Sequence, residues 1–377
     1  MKVNALAVAC LVWLAVLTAG AIADTDTFET IRRRADEART AGRLDEAIDL
    51  YNRAVRLRPA WAEGHWYLGT IFYEREQLTA CRDAFGTVVR LQPKNADAHA
   101  FKGLCEFRLK SYAPALADLN RAATVGIKDP QLKPVAQFHR AMLLTRAGEH
   151  ERALQIYADL ARAGNANPML VDAMGIAVLR LSLLPDEVSA EIHDAVTLAG
   201  RATLLAAGTD TNAADRAFEE LVGRYSKTAN VHYIYGLYLL RSRPQQALDQ
   251  FNEELRISPN HAGAMIQIAQ ESMKAGDLDT AARWATQAVQ AAPRNFVGRR
   301  VLGQIKLERN DIAGAISELE AAVKLEPDSP SVHYTLARAY QRAGRTAEAN
   351  RERATFSRLE KLQQEQRGAA TAGGPPK

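Results

Sequence analysis

The 377-residue sequence has little of what builds β-sheets, disulfide frameworks or nucleic-acid surfaces. Aromatic residues make up only 7% of the chain, and long runs of Val, Ile and Thr, which strands favour, are absent. No run of Lys and Arg is longer than three residues, in a chain of net charge +4. Nucleic-acid binders usually concentrate positive charge on one face, so we predict no nucleic-acid partner. The abundance of Ala and Leu favours an all-helical fold.

Motifs that carry catalysis are also missing. The sequence contains no Gly-rich phosphate loop, no Gly-x-Ser-x-Gly elbow, no paired-His zinc motif and no Cys-x-x-Cys. Carboxylate pairs such as Glu219-Glu220 and Glu253-Glu254 fit solvated helix faces with neighbouring arginines. We therefore predict a protein that is not an enzyme, with no catalytic residues, no cofactor and no metal site.

The N-terminus has the features of an export signal. Lys2 supplies a positive charge, residues 6–17 form an apolar stretch, and Ala-Ile-Ala at 21–23 precedes Asp24. We expect cleavage after Ala23 and a mature chain in the periplasm or outside the cell. The alternative is an uncleaved membrane anchor, because the uncharged stretch 5–23 is about long enough to span a bilayer.

Two of the three cysteines, Cys81 and Cys105, remain after cleavage. Two cysteines are neither a disulfide framework nor a metal set. A single bridge between them is open, and we favour the alternative of two buried thiols that behave as small apolar side chains.

The strongest pattern in the chain is a 34-residue period. Prolines follow it at residues 59 and 93 and again at 259, 293 and 327. Small residues keep the same step, with one short exception, at Ala35, Gly69 and Gly103 and at Gly236, Ala269, Gly303 and Ala337. Each unit carries two segments with apolar residues three and four apart, which indicates two amphipathic helices. A glycine in the turn between them ends the first helix, and stacking of neighbouring units supplies the core.

On these residues the chain resembles the tetratricopeptide repeat family, whose 34-residue unit has small residues and a proline at these positions. Residues 62–95 and 296–329 match best. The resemblance implies an all-α fold, a right-handed α-solenoid of antiparallel helix hairpins. We predict an N-terminal array of about four repeats at 24–167, an irregular seam with one orphan helix at 168–194, about five repeats at 195–363, and a disordered tail at 364–377.

Four histidines share the fourth position of their repeats. They occur once per repeat, which is too dispersed for one metal site, so we predict that they pack between helices. These residues are His65, His99, His232 and His333.

The resemblance also implies a concave groove lined by the first helix of each repeat. The predicted peptide-binding residues are Trp66, Tyr73, Phe107, Arg108, Phe138, Met142, Arg146, Tyr233, Leu237, Arg241, Met273, Lys274, Tyr334 and Arg338. A basic residue recurs at the thirteenth position, as in Arg108, Arg146, Arg180, Arg241, Lys274 and Arg342. Either this series edges the groove with charge for an acidic partner, or it compensates the helix C-termini.

These inferences predict a non-catalytic scaffold that holds a partner protein or peptide of unknown identity outside the cytoplasm. No membrane contact is expected once the signal is cleaved, and the oligomeric state is left open. The alternative is a membrane-anchored assembly factor for envelope machinery, such as a pilus, outer-membrane biogenesis or polysaccharide export.

Overall fold

The computed structural model describes residues 27–372, and their side chains as far as residue 365. The predicted export signal and residues 373–377 lie outside this range. Every regular element within it is helical, with nineteen α-helices and one short 3-10 helix at Pro185–Glu187. Most consecutive helices are joined by turns of a few residues and pack against each other as hairpins. The predicted fold class, an all-α solenoid of helix hairpins, is confirmed.

The chain divides into two compact units. The first, which ends at Ala166, contains α1 (Phe28–Thr40), α2 (Leu44–Leu57), α3 (Ala62–Glu74), α4 (Leu78–Leu91), α5 (Ala96–Arg108), α6 (Tyr112–Val125), α7 (Leu132–Arg146) and α8 (His150–Arg162). The second, which starts at Asn167, contains α9 (Pro168–Val178), α10 (Ala190–Ala206), α11 (Thr211–Tyr225), α12 (Val231–Leu239), α13 (Pro244–Ile257), α14 (Ala262–Lys274), α15 (Leu278–Ala291), α16 (Phe296–Glu308), α17 (Ile312–Leu325), α18 (Pro330–Arg342) and α19 (Thr346–Ala372).

Small residues at the eighth position of the repeat let the two helices of a hairpin approach closely. A Cβ added at Gly69 would collide with the Phe85 ring, and one added at Gly236 would collide with the Phe251 ring. Leu119 faces Gly103 and Leu319 faces Gly303 in the same way. Each large side chain on the second helix is therefore buried in the space that a missing side chain leaves on the first.

The turn between the two helices needs one left-handed residue, and glycine supplies it only in some repeats. Its φ is +73° at Gly42, +79° at Gly148, +81° at Gly276 and +73° at Gly344. At the same phase of other repeats the residue is Glu76, Lys110 or Asn310, with φ between +58° and +66°. This backbone conformation costs about 1 kcal/mol or more at Glu76 and Lys110, whereas Asn adopts it more readily.

Helix α9, the predicted orphan helix, is joined to the next helix by an irregular connection and not by a short turn. The 3-10 helix follows it, and α10 then packs directly against α9. Two glycines make this contact unusually close, since a Cβ at Gly175 would lie against the Val196 carbonyl and one at Gly200 against the Val171 carbonyl. Helix α10 begins at Ala190, five residues before the start of the predicted repeat.

Cys81 and Cys105 form a disulfide, so the interpretation as two free buried thiols is wrong. Their Cα atoms are 6.3 Å apart, within the usual disulfide range, and both side chains are fully buried. Cys81 lies in the second helix of one repeat and Cys105 in the first helix of the next. Only the packing of α4 against α5 brings them together, and spacing in the sequence does not reveal it.

The predicted disordered tail differs from the structure over residues 364–372, because α19 continues to Ala372. Residues 346–367 contain neither Gly nor Pro and are rich in Ala, Glu, Gln, Arg and Lys, all strong helix formers. Low apolar content therefore does not end the helix there.

A polar network in the second unit ties three helices together. The Asn230 side-chain amide donates to the Leu179 carbonyl at 3.0 Å, and its Oδ1 lies 2.9 Å from His261 Nε2. His261 Nδ1 accepts the Ala264 N–H at the start of α14, so Nε2 carries the proton of the neutral ring and donates to Asn230. Glu254 is fully buried and accepts hydrogen bonds from the backbone N–H groups of Asn230 and Tyr233, so its predicted place on a solvated helix face is wrong.

Replacing Gly200 with Ala is expected to destabilise the chain by about 1–3 kcal/mol, because the new methyl group must displace the α9 backbone. Gly223→Ala is the matched control. Gly223 is exposed within α11, with nothing within 4 Å of an added Cβ, so this change should stabilise by up to about 1 kcal/mol. Urea unfolding followed by circular dichroism measures both. Equal effects of the two changes would contradict the close α9–α10 contact.

The His261 network predicts a loss of stability below pH 6.5. Burial lowers the pKa of His261, an effect that the Arg180 charge reinforces and the Glu254 charge opposes. The unfolded state therefore binds the proton first as pH falls, and unfolding becomes easier until the folded ring is also protonated. His261→Asn keeps a helix cap of the kind that Asn95 and Asn295 provide, but it does not titrate.

The check is the midpoint of urea unfolding at pH 7 and at pH 5 for the native chain and for His261→Asn. The variant should lose less stability than the native chain between the two pH values. An equal loss in both proteins would rule out His261 as a contributor.

Candidate functional site on the first helices

Each unit presents a first-helix surface, which we define as the exposed side chains on the first helix of each hairpin. In the first unit α5 contacts α7, and in the second unit α14 contacts α16, which contacts α18. First helices of neighbouring hairpins thus lie side by side. The predicted groove residues all belong to them or to the turn that follows.

The predicted aromatic residues of the first unit are packed mainly against other side chains of the chain. Half-buried Trp66 meets Phe85 edge-on at a ring-centroid distance of 5.3 Å, and Tyr73 meets Phe101 at 5.4 Å. Half-buried Phe107 packs against His139 at 4.7 Å, and half-buried Phe138 packs against Tyr157 of the next helix at 6.0 Å. These rings hold successive helices together and leave only part of each ring to solvent.

Met142 and Tyr233 are wrongly predicted as groove residues, because their exposed fractions are only 6% and 5%. Residues 141–145 are all buried, and so are residues 231–236. Each stretch is longer than one turn of an α-helix, so the helix is buried on every side there. The Tyr233 ring packs against His261 with centroids 4.5 Å apart and lies under the Arg180 guanidinium. Neither side chain can be a primary contact for a partner.

The recurring basic residues mostly have partners within the chain. Arg108 pairs with Glu76 of the preceding turn at 2.9 Å, and the Arg146 guanidinium lies 4.7 Å from the Tyr112 ring centroid. Lys274 pairs with Glu271 at 2.6 Å. Arg342 donates to the Leu307 carbonyl and the Asn310 side chain, and Arg180 covers Tyr233. Of these contacts, only that of Arg342 is with a backbone carbonyl at the end of a helix, and the others are with side chains, so both interpretations of this series remain predictions.

Two predicted groove residues of the second unit are exposed apolar side chains. Leu237 on α12 is 37% exposed, and Tyr334 on α18 is 52% exposed with its ring 5.5 Å from that of Phe356. Arg241 and Lys274 are also exposed, while Met273 is half-buried. Arg338 pairs with Glu308 at 3.1 Å. The first-helix surface therefore has a few exposed apolar side chains. Most of the charged side chains around them are paired with other residues of the chain.

The side chain at the fourth position of the repeat forms hydrogen bonds that connect neighbouring segments. His65, His99, His232 and His333 each bond through Nε2 to the carbonyl six residues earlier, at 2.8–3.3 Å. Three of them also bond through Nδ1 to a side chain on their own second helix: Asp118, Gln250 or Glu352. Arg299 makes the same two contacts, to the Pro293 carbonyl and to Glu318. The predicted packing role of these histidines agrees with the contacts, whereas the hydrogen bonds could not be inferred from the repeat pattern.

Arg300 was not among the predicted residues. It is half-buried on α16, and its one hydrogen bond to the described residues is a 3.5 Å contact from Nη1 to the Gln304 side chain. Burial lowers the pKa of its guanidinium, and no carboxylate offsets this effect. The signal that could have found it is its phase, because Arg300 occupies the fifth position of the repeat at 296–329, as Trp66 and Tyr334 do in theirs.

Within residues 27–372 there is neither a metal-binding cluster nor a membrane-spanning helix. No group of three or more His, Cys, Asp or Glu side chains in this range could hold a metal ion. No helix in the same range is both long and apolar enough to cross a bilayer.

Comparison with protein-family models finds two kinds of match. A model described as TPR repeat matches residues 35–75 and 303–344, and one described as tetratricopeptide repeat matches residues 78–133 and 200–262. Together these segments cover just over half of the chain. No curated protein matches the sequence.

Solved structures of MamA are among the similar folds. One MamA crystal structure is 15% identical and has a TM-score of 0.37, with 41% of this chain and 92% of that chain covered. The MamA RS-1 ArsTM double mutant is 21% identical, with a TM-score of 0.39 and coverage of 45% and 96%. At these TM-scores the similarity carries no argument about partner or function.

Proposed function

Because the chain belongs to the tetratricopeptide repeat family, we propose that it is a non-catalytic scaffold that binds a protein or peptide segment through its first-helix surface. The observation that carries the proposal is the exposure of Leu237 and Tyr334 on first helices. Tyrosine is among the residues that most often carry the binding energy of protein interfaces, and an exposed leucine offers apolar area that a partner can bury.

The surface is largely pre-organised. Tyr334 rests on Phe356, Arg338 is fixed by Glu308, and Arg108 is fixed by Glu76. Side chains that are already held in place lose little conformational entropy when a partner binds. An extended or helical segment is the natural occupant, since it can contact several first helices in succession.

We also propose that the protein acts after export, with residues 1–23 removed. The disulfide between Cys81 and Cys105 supports this location, because disulfides persist in oxidising compartments and are rare in the cytosol. The features of the N-terminal residues, given above, point the same way.

The export proposal predicts the mass of the natural protein. A mature chain should begin at Asp24, and its mass should rise by two alkyl groups only when the protein is reduced before alkylation. Intact-mass spectrometry of protein from its natural source measures both. A chain that retains residues 1–23 would instead support the membrane-anchored assembly factor, and two thiols that react without reduction would remove the support from the disulfide.

The binding proposal predicts the loss of a partner when Leu237 and Tyr334 are both changed to Ser. The bait is residues 24–377 in a crosslinking pull-down from the exported fraction of the natural source. The double change removes two apolar contacts on the first helices, so recovery of a specific partner should fall about tenfold or more.

The matched control is the double change Leu57→Ser and Leu91→Ser. These leucines lie at the ends of second helices and are 55% and 38% exposed, close to the values of the two test residues. The control should recover the partner as the native chain does. Equal recovery with all three baits would place binding elsewhere, and circular dichroism verifies that each bait is folded.

A further inference from the structure

Arg300 differs from the other half-buried arginines that the structure describes. Each of the others has a carboxylate, an aromatic ring, or a hydrogen bond of 3.1 Å or less. Its neighbour in sequence, Arg299, shows the contrast, because it bonds to the Pro293 carbonyl and to Glu318 at 2.9 and 2.8 Å. Arg300 has only the 3.5 Å contact with Gln304.

This guanidinium lies inside the first-helix surface of the second unit, on a helix with another first helix on either side. Ile266 on α14 and Tyr334 on α18 occupy the same repeat position on the helices that flank α16. Ile266 is buried and Tyr334 is exposed, so Arg300 stands between an apolar wall and an aromatic side chain. Because the surface continues on both sides, a segment crossing it would pass Arg300 with its interior and not with its end.

A partly desolvated arginine gains more from a carboxylate than an exposed arginine does. It has already lost part of its hydration, and its planar group has five N–H donors, of which only one is in use here. A carboxylate accepts two of them in parallel, which gives strong and directional hydrogen bonds. Neutral acceptors offer less to a group whose charge is poorly solvated.

We propose that Arg300 selects the bound segment by pairing with the side-chain carboxylate of an Asp or Glu in its interior, next to an apolar residue that contacts Tyr334. This inference rests on the proposed function and names the chemistry of the partner. The partner is an acidic, partly apolar protein segment, and specificity comes from a single charge instead of from the recurring basic series.

The test uses random twelve-residue peptides displayed on phage. They are selected in parallel on the oxidised chain 24–377, on Arg300→Gln, and on Arg283→Gln. Arg283 is an exposed arginine on the second helix α15 and is the matched control for loss of one positive charge. Peptides selected on the native chain and on Arg283→Gln should share an interior Asp or Glu, and this preference should vanish on Arg300→Gln.

A double-mutant cycle then measures the contact directly. In the best selected peptide the shared acid is changed to its amide, and affinities are measured by fluorescence anisotropy. The amide should weaken binding to the native chain about tenfold and leave binding to Arg300→Gln unchanged. Moving the acid to the peptide terminus should not restore affinity, since a terminal carboxylate lies outside the middle of the surface.

Each other outcome is decisive. Peptides that bind without an acidic preference, or with the same preference on Arg300→Gln, would overturn the role of Arg300 and leave the peptide-binding proposal standing. A selection that enriches no peptide on any of the three folded proteins would count against the proposed function itself, and with it against the role of Arg300.

Discussion

The structure depends on the close approach of two helix backbones within each hairpin, and small residues make that approach possible. Gly69, Gly103, Gly236 and Gly303 each leave a space that a Phe or Leu of the second helix fills. A hairpin built in this way still has an apolar face that only the next hairpin can cover. The small-residue contact therefore fixes both the shape of the repeat and the need to stack. It also leaves one side of each first helix as the surface on which a partner can lie.

Polar groups fix the stacked hairpins. The fourth-position side chain joins the end of one repeat to the next, and in three repeats a histidine also bonds to its own second helix. Many charges on the first helices are likewise paired inside the chain, as Arg108 is with Glu76. The consequence for function is that few groups on this surface remain for a partner. We propose that Leu237, Tyr334 and Arg300 are among these groups and contact the partner.

The repeat period and the turns could be predicted from the sequence because small residues, glycine and proline leave a direct mark at fixed spacing. The turns at Glu76 and Lys110 could not be recognised in this way, since neither residue type favours the left-handed backbone that it adopts there. The disulfide depends on packing between repeats. Met142 and Tyr233 have the phase of groove residues, and only the structure shows that whole stretches around them are buried. Arg300 has the phase of a groove residue, but only the structure shows that its hydrogen bonding within the described residues is limited to one 3.5 Å contact.

The most direct test of binding through the first helices is site-specific photocrosslinking in cells that naturally produce the protein. A benzoylphenylalanine group replaces Tyr334 on the first-helix surface in one strain and Leu91 at the end of a second helix in another. We expect a covalent adduct with a partner protein from position 334 and none from position 91. An adduct from position 91 without one from position 334 would show that the partner binds elsewhere and would contradict binding through the first helices.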